Sequence, residues 1–175
     1  MLKTSDKQLL VLAQQVGVLL KQNELTLATA ESCTGGWIGQ VITAVPGSSN
    51  WFDRGFITYN NLAKQQMLSV TSTILTRFGA VSEQTARAMA HGAIKMSEAQ
   101  IAVAVTGIAG PESGTVNKSV GTVCFAWLII QQENQSTSSR TCLFNGDREA
   151  IRRQAVATAL QGLLDLLQNP GPRYA

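Results

Sequence analysis

The chain has 175 residues, 45% of them apolar, so it can bury the core of one ordinary domain without disulfide or metal staples. With 14% charged residues it is neither a disordered chain nor a coiled coil. The formal net charge of +3 suits an anionic small ligand, whereas the densest basic spot, "IRR" ending at Arg153, is too short for a nucleic-acid surface.

Leu9, Leu12, Val16, Leu19 and Leu20 recur at helical spacing behind Thr4 or Ser5 as a cap, which predicts a helix over residues 6–22. "LTLATA" (25–30) is short, apolar and Thr-rich, and reads as a buried strand. "TGGWIGQVITAV" (34–45) follows as a helix ended by Pro46 and Gly47. "GFITY" (55–59) is a second strand, with "NNLAKQQML" (60–68) as a helix directly behind it. Ser82 caps a helix running to about residue 97. "QIAVAVT" (100–106) is the continuous apolar run of a strand covered on both faces. "GIAGPESGTVNKSVG" is a long Gly/Pro/Ser loop, and "TVCFAWLII" and "SSRTCLF" flank "QQENQ" as a hairpin. Asp147 caps a last helix over about 148–167, and "NPGPRYA" (169–175) is a loose tail. No repeat or linker interrupts this order, so residues 1–168 are expected to form one domain. The pattern argues an α/β fold: a three-layer α/β/α sandwich on a mixed, mostly parallel sheet of about five strands with an antiparallel edge.

No apolar run reaches the roughly 18 residues of a membrane span, and the N-terminus reads as a helix rather than a signal peptide. The three cysteines, Cys33, Cys124 and Cys142, form no CxxC pair, which fits a reducing, cytoplasmic chain. No HExxH, acidic cluster or Cys/His ligand set is present, so no metal is expected.

In open α/β sheets ligands bind beyond the carboxyl ends of strands. Three stretches fall at such ends: "ESCTGG", "YNNLAK" and "TGIAGPESG". In the first, a helix beginning at Thr34 would aim its free N–H groups at the loop, and Gly35 and Gly36 would allow close approach of a ligand. Ser32 beside that helix end is either a nucleophile or only a cap. Cys33 is the rival nucleophile, though a buried cysteine is more often a packing residue. The sole histidine, His91, shares a helix face with Arg87 and Lys95 and is expected to face solvent, so a Ser-His-Asp triad is not expected.

A lysine can replace the histidine if burial or a cationic neighbour keeps it neutral. Lys64 opens the helix behind the second strand, and Tyr59 ends that strand; both could reach one pocket, or be an exposed helix lysine and an ordinary strand-end aromatic. Gly107, Gly110 and Gly114 follow the best strand with several free N–H groups, which form either a phosphate cradle or a flexible loop. Arg148, in the first turn of the last helix, opposes the helix dipole unless an anion lies nearby; the alternative is a surface ion pair.

Together "TAESCTGG", "GFITYNNLAK", "GAVSEQTARAMAHGA", "VTGIAGP", "VGTVCFA" and "FNGDREAIRRQA" resemble the CinA C-terminal domain family over nearly the whole chain, in its single-domain form. Ser119 stands where relatives often carry a proline before Val120. The resemblance implies a cofactor-free amidohydrolase of pyridine-nucleotide recycling, turning nicotinamide mononucleotide (NMN) and water into nicotinate mononucleotide and ammonia. It implies Ser32 as nucleophile with Tyr59 and Lys64 in a Ser/Lys mechanism. It implies substrate binding by Thr34, Gly35, Gly36, Thr106, Gly107, Gly110 and Arg148, and a homodimer. The competing expectation is a catalytically silent domain that binds a nucleotide or a partner.

Overall fold

Helix α1 (Asp6–Gln22) begins at Ser5 with a reciprocal capping box: Ser5 Oγ accepts the Gln8 N–H, and the Gln8 side chain accepts the Ser5 N–H. The computed structural model describes residues 4–111, 118–131 and 134–168. In chain order follow β1 (Leu27–Glu31), α2 (Trp37–Thr43), β2 (Phe52–Ile57), α3 (Asn61–Leu68), α4 (Ser72–Phe78) and α5 (Glu83–Lys95). The rest comprises β3 (Ile101–Gly107), β4 (Thr122–Gln131), β5 (Asn134–Leu143) and α6 (Arg148–Gln168).

The sheet has the order β2-β1-β3-β4-β5. β1 runs parallel to both β2 and β3, and the β4–β5 hairpin adds antiparallel strands beside β3. Helices cover both faces, which gives the expected three layers. The two faces differ in side-chain size because strand residues alternate. Leu27, Ile101, Val103 and Val105 join the core under α1, α2 and α6. Ala28, Ala30, Ala102, Ala104 and Ala126 face α5 instead. Those alanines, met by Ala86, Ala90 and Ala93 of α5, let that helix lie close to the sheet. Gly92 on α5 lets α3 approach in turn, since a Cβ there would lie 2.0 Å from the Leu68 carbonyl oxygen.

Several elements differ from the sequence expectation; the second strand spans Phe52–Ile57 rather than 55–59, so Tyr59 lies two residues beyond its end. The helix behind β1 starts at Trp37 rather than Thr34, because Gly36 takes φ +92° and prolongs the turn. Helix α4 was not foreseen between residues 68 and 82; it has seven residues, too few to display an apolar period, and rests on the Thr71 cap. The hairpin strands are longer than expected, so that only residues 132–133 lie between them; the polar "NQSTSS" of β5 pairs along a sheet edge. The expected tail and part of the glycine loop, including Gly114, lie outside the described residues. No helix among the described residues is long and apolar enough to cross a membrane.

Candidate functional site

Because β1, β2 and β3 are parallel, their carboxyl ends meet at one sheet edge. The ladder continues past β1: Thr58 N–H donates to Glu31 O at 2.8 Å, and Ser32 N–H donates to Val105 O at 2.9 Å. Ser32, the Thr58–Tyr59 pair and the end of β3 are thus held side by side by backbone alone. Strand alternation turns Glu31 toward α2 and Ser32 toward the α3 and α5 side.

Lys64 arrives from α3. Asn60 caps that helix, with its side chain accepting the Ala63 N–H at 2.7 Å. Lys64 is 1% exposed, and its Nζ lies 3.0 Å from Ser32 Oγ and donates to Thr58 O at 2.8 Å. Burial lowers its pKa from 10.5 to about 8, against a small upward pull from Cys33. Cys33 packs into the core under α1, α2 and α6, and burial pushes its thiol up to about 12. The thiol therefore stays protonated and lies on the opposite side of the strand from Lys64. His91 is exposed on α5, 3.4 Å from the Gln135 side chain, and takes no part in the site.

Of the remaining expected residues, Tyr59 and Arg148 are exposed, whereas Thr34 and Thr106 are buried. Tyr59 is exposed, and its hydroxyl accepts from Arg148 Nη2 at 2.7 Å. Arg148 Nη1 donates to Gly110 O at 2.6 Å, so one guanidinium bridges the chain beyond β2 and the loop beyond β3. Arg148 opens α6 behind Asp147, whose carboxylate accepts the Ala150 N–H at 2.8 Å. Tyr59 does not stand between Lys64 and Ser32, which touch directly. Thr106, beside Ser32 in the ladder, donates its hydroxyl to Ala80 O at 2.8 Å. Gly107 closes β3 against Val123. Thr34 is fully buried, and its Oγ1 has no partner among the described residues. Gly35 instead lines a cleft of about 730 Å³ between α1, α2 and α6, away from Lys64.

The expected free N–H groups at the start of α2 are already taken. Glu31, 1% exposed, accepts from Gly36 at 3.0 Å and Ile38 at 3.1 Å through Oε2, and from Gly39 at 2.9 Å through Oε1. A carboxylate satisfies that helix end from inside the fold. Glu31 was missed in the sequence, although a lone acid at the end of an apolar strand, just before a glycine turn, is a visible signal. Arg152 was also missed: it donates to Cys33 O at 3.1 Å and Thr34 O at 2.7 Å. Its signal was the four-residue spacing from Arg148, which puts both arginines on one face of α6.

The chain's sequence from residue 10 to residue 167 matches the model of the CinA C-terminal domain. The chain belongs to the CinA C-terminal domain family. Among its curated relatives, the nicotinamide-nucleotide amidohydrolase PncC of Escherichia coli strain K12 is 51% identical over 94% of this chain and 99% of the relative. The protein of the same name from Pseudomonas putida is 46% identical over 89% and 94%. A longer CinA-family relative, a putative competence-damage inducible protein of Symbiobacterium thermophilum, is 49% identical over 89% of this chain but only 37% of its own length. The crystal structure of the competence/damage inducible protein CihA from Agrobacterium tumefaciens superposes with a TM-score of 0.84 at 44% identity, over 95% of this chain and 98% of that one.

Proposed function

We propose that the chain is a nicotinamide-nucleotide amidohydrolase in which Ser32 is the nucleophile and Lys64 the general base and acid. The observation that carries the reading is the buried Lys64 Nζ, 3.0 Å from Ser32 Oγ and with its pKa lowered to about 8. A pKa of 8 leaves about a tenth of the lysines neutral at pH 7, enough to supply a base without a histidine. The relatives named for this activity support NMN as the substrate.

The chemistry follows from the geometry. Lys64 Nζ donates to the Thr58 carbonyl and to Ser32 Oγ; on losing a proton it keeps the Thr58 bond and turns its lone pair to the Ser32 hydroxyl. As Ser32 Oγ bonds to the carboxamide carbon, its proton passes to Lys64 and the carbonyl oxygen becomes an oxyanion. Lys64 returns the proton to the nitrogen, the C–N bond breaks and ammonia leaves. Water then attacks the acyl-serine with Lys64 again as base, which releases nicotinate mononucleotide and restores Ser32. Arg148, exposed beside Gly110, supplies the cation for the substrate phosphate. The product retains the nucleotide, which supports a role in pyridine-nucleotide recycling.

The test is ammonia release from NMN by purified protein, followed against pH. Activity should rise through about pH 8 as Lys64 loses its proton, and Lys64→Arg should be inactive because a guanidinium is no base. A folded protein that releases no ammonia from NMN would refute the substrate, and an active arginine variant would refute the base.

A further inference from the structure

Buried backbone donors and acceptors need partners, and the turn that carries Ser32 finds most of them within the fold. The Ser32 carbonyl accepts the Gly35 N–H at 3.0 Å, and the Thr34 carbonyl accepts the Trp37 N–H at 3.3 Å. The N–H groups of Gly36, Ile38 and Gly39 go to the Glu31 carboxylate. Arg152 takes the carbonyls of Cys33 and Thr34, and its guanidinium lies 5.2 Å from the Trp37 ring centre, which pins it from behind. The Cys33 N–H donates to its own thiol, and the Thr34 N–H has no partner among the described residues. One unsatisfied donor, the Thr34 N–H, thus lies two residues beyond the nucleophile.

Their direction follows from peptide geometry. In a trans peptide the N–H of one residue points opposite to the carbonyl of the residue before it. Arg152 reaches the turn from α6, on the sheet face of α1 and α2. A Cys33 carbonyl drawn to that face turns the Thr34 N–H to the other face, where Ser32 meets Lys64. The next peptide shows the same sense: with the Thr34 carbonyl on Arg152, the Gly35 N–H points back to Ser32.

We propose that Arg152 is a positioning residue for the hydrolysis: by holding the Cys33 and Thr34 carbonyls it fixes the Thr34 N–H as a donor to the oxyanion formed at Ser32. This rests on the reading of Ser32 as nucleophile. The donor belongs to the turn and not to helix α2, whose first N–H groups are taken by the Thr34 carbonyl and Glu31. Arg152 never touches the substrate; it acts through the peptide planes, whose rotation would swing the donor away as the charge develops.

The experiment compares wild type, Arg152→Ala and Arg152→Lys, with Ser32→Ala as control. Two readouts are used: kcat and KM for ammonia release from NMN, and the affinity for pyridine-3-boronic acid. In the boronate complex Ser32 Oγ bonds to boron, its proton passes to Lys64, and the tetrahedral anion imitates the oxyanion. Arg152→Ala should lower kcat by roughly 10- to 100-fold, short of the 10²–10³ lost when a donor is deleted outright, with KM nearly unchanged. Boronate affinity should fall by the same factor, millimolar guanidinium should restore part of both, and Arg152→Lys should lie between the two.

A variant with unchanged kcat, or one that loses kcat but binds the boronate as wild type does, would overturn the proposal. If wild type releases no ammonia from NMN but binds boronate through Ser32, the substrate reading fails and the boronate comparison still decides the role of Arg152. A wild-type Ser32 that adds no boronate overturns the proposal as well.

Discussion

Replacing Lys64 by methionine should make the protein more stable at neutral pH while abolishing its activity. Burial holds the folded-state pKa of Lys64 at about 8, against 10.5 for the exposed side chain. Below pH 8 the folded chain therefore keeps an ammonium in a place that disfavours it, and the gap corresponds to about 3 kcal/mol of lost stability. Lys64→Met keeps the unbranched stem and removes the charge. It also strands the Thr58 carbonyl, which costs about 1–2 kcal/mol. The net expectation at pH 7 is a gain of about 1–2 kcal/mol, a common trade between stability and an active site.

The pH dependence separates this account from simple repacking. Between pH 8 and pH 10.5 the unfolded chain holds a proton on Lys64 that the folded chain has released. Wild-type stability should then climb by about 1.4 kcal/mol per pH unit, and the advantage of the variant should vanish and reverse. Cys33 acts in the opposite sense: its folded pKa of about 12 exceeds the ordinary 9.0, so its contribution is full below pH 9 and is lost as pH rises toward 12. The difference between wild type and variant removes the Cys33 contribution, which both share. Urea unfolding of both proteins from pH 7 to pH 10.5 measures that difference. A difference that stays constant over this range would refute the lowered pKa and the neutral lysine with it.

Ser32→Ala should reduce ammonia release to background, whereas Cys33→Ala should retain most of it, because the Cys33 thiol stays protonated and packs on the other face. Arg148→Ala should lower kcat/KM on NMN by about ten- to a hundred-fold, the loss of one charge-assisted contact, and barely alter it on nicotinamide riboside, which lacks the phosphate. Equal losses on both substrates would move the phosphate elsewhere. Gly92→Ala puts a Cβ 2.0 Å from the Leu68 carbonyl and must push α3 off α5. It should cost at least about 2 kcal/mol in denaturant unfolding and lower kcat, since Lys64 rides on α3.

The amino-acid sequence by itself determined the order of the elements, the three strand ends that converge and the residue types placed there. These are local properties: the apolar period of α1, the caps at Ser5, Ser82 and Asp147, and the continuous apolar run of β3 need only neighbours along the chain. Helix α4 escaped because seven residues carry too little pattern, and the start of α2 was misplaced because Gly36 delays it. Tertiary structure alone decided what each polar group in the site meets. Lys64 looks like any surface helix lysine until α3, held close to α5 at Gly92, delivers it to Ser32, 32 residues away in the chain. Arg152 meets the Thr34 carbonyl across 118 residues, and Glu31 caps a helix that the sequence left open to a ligand. Burial and hydrogen-bond partnership at such separations depend on how helices pack on the two faces of the sheet, and no period or cap in the chain encodes that.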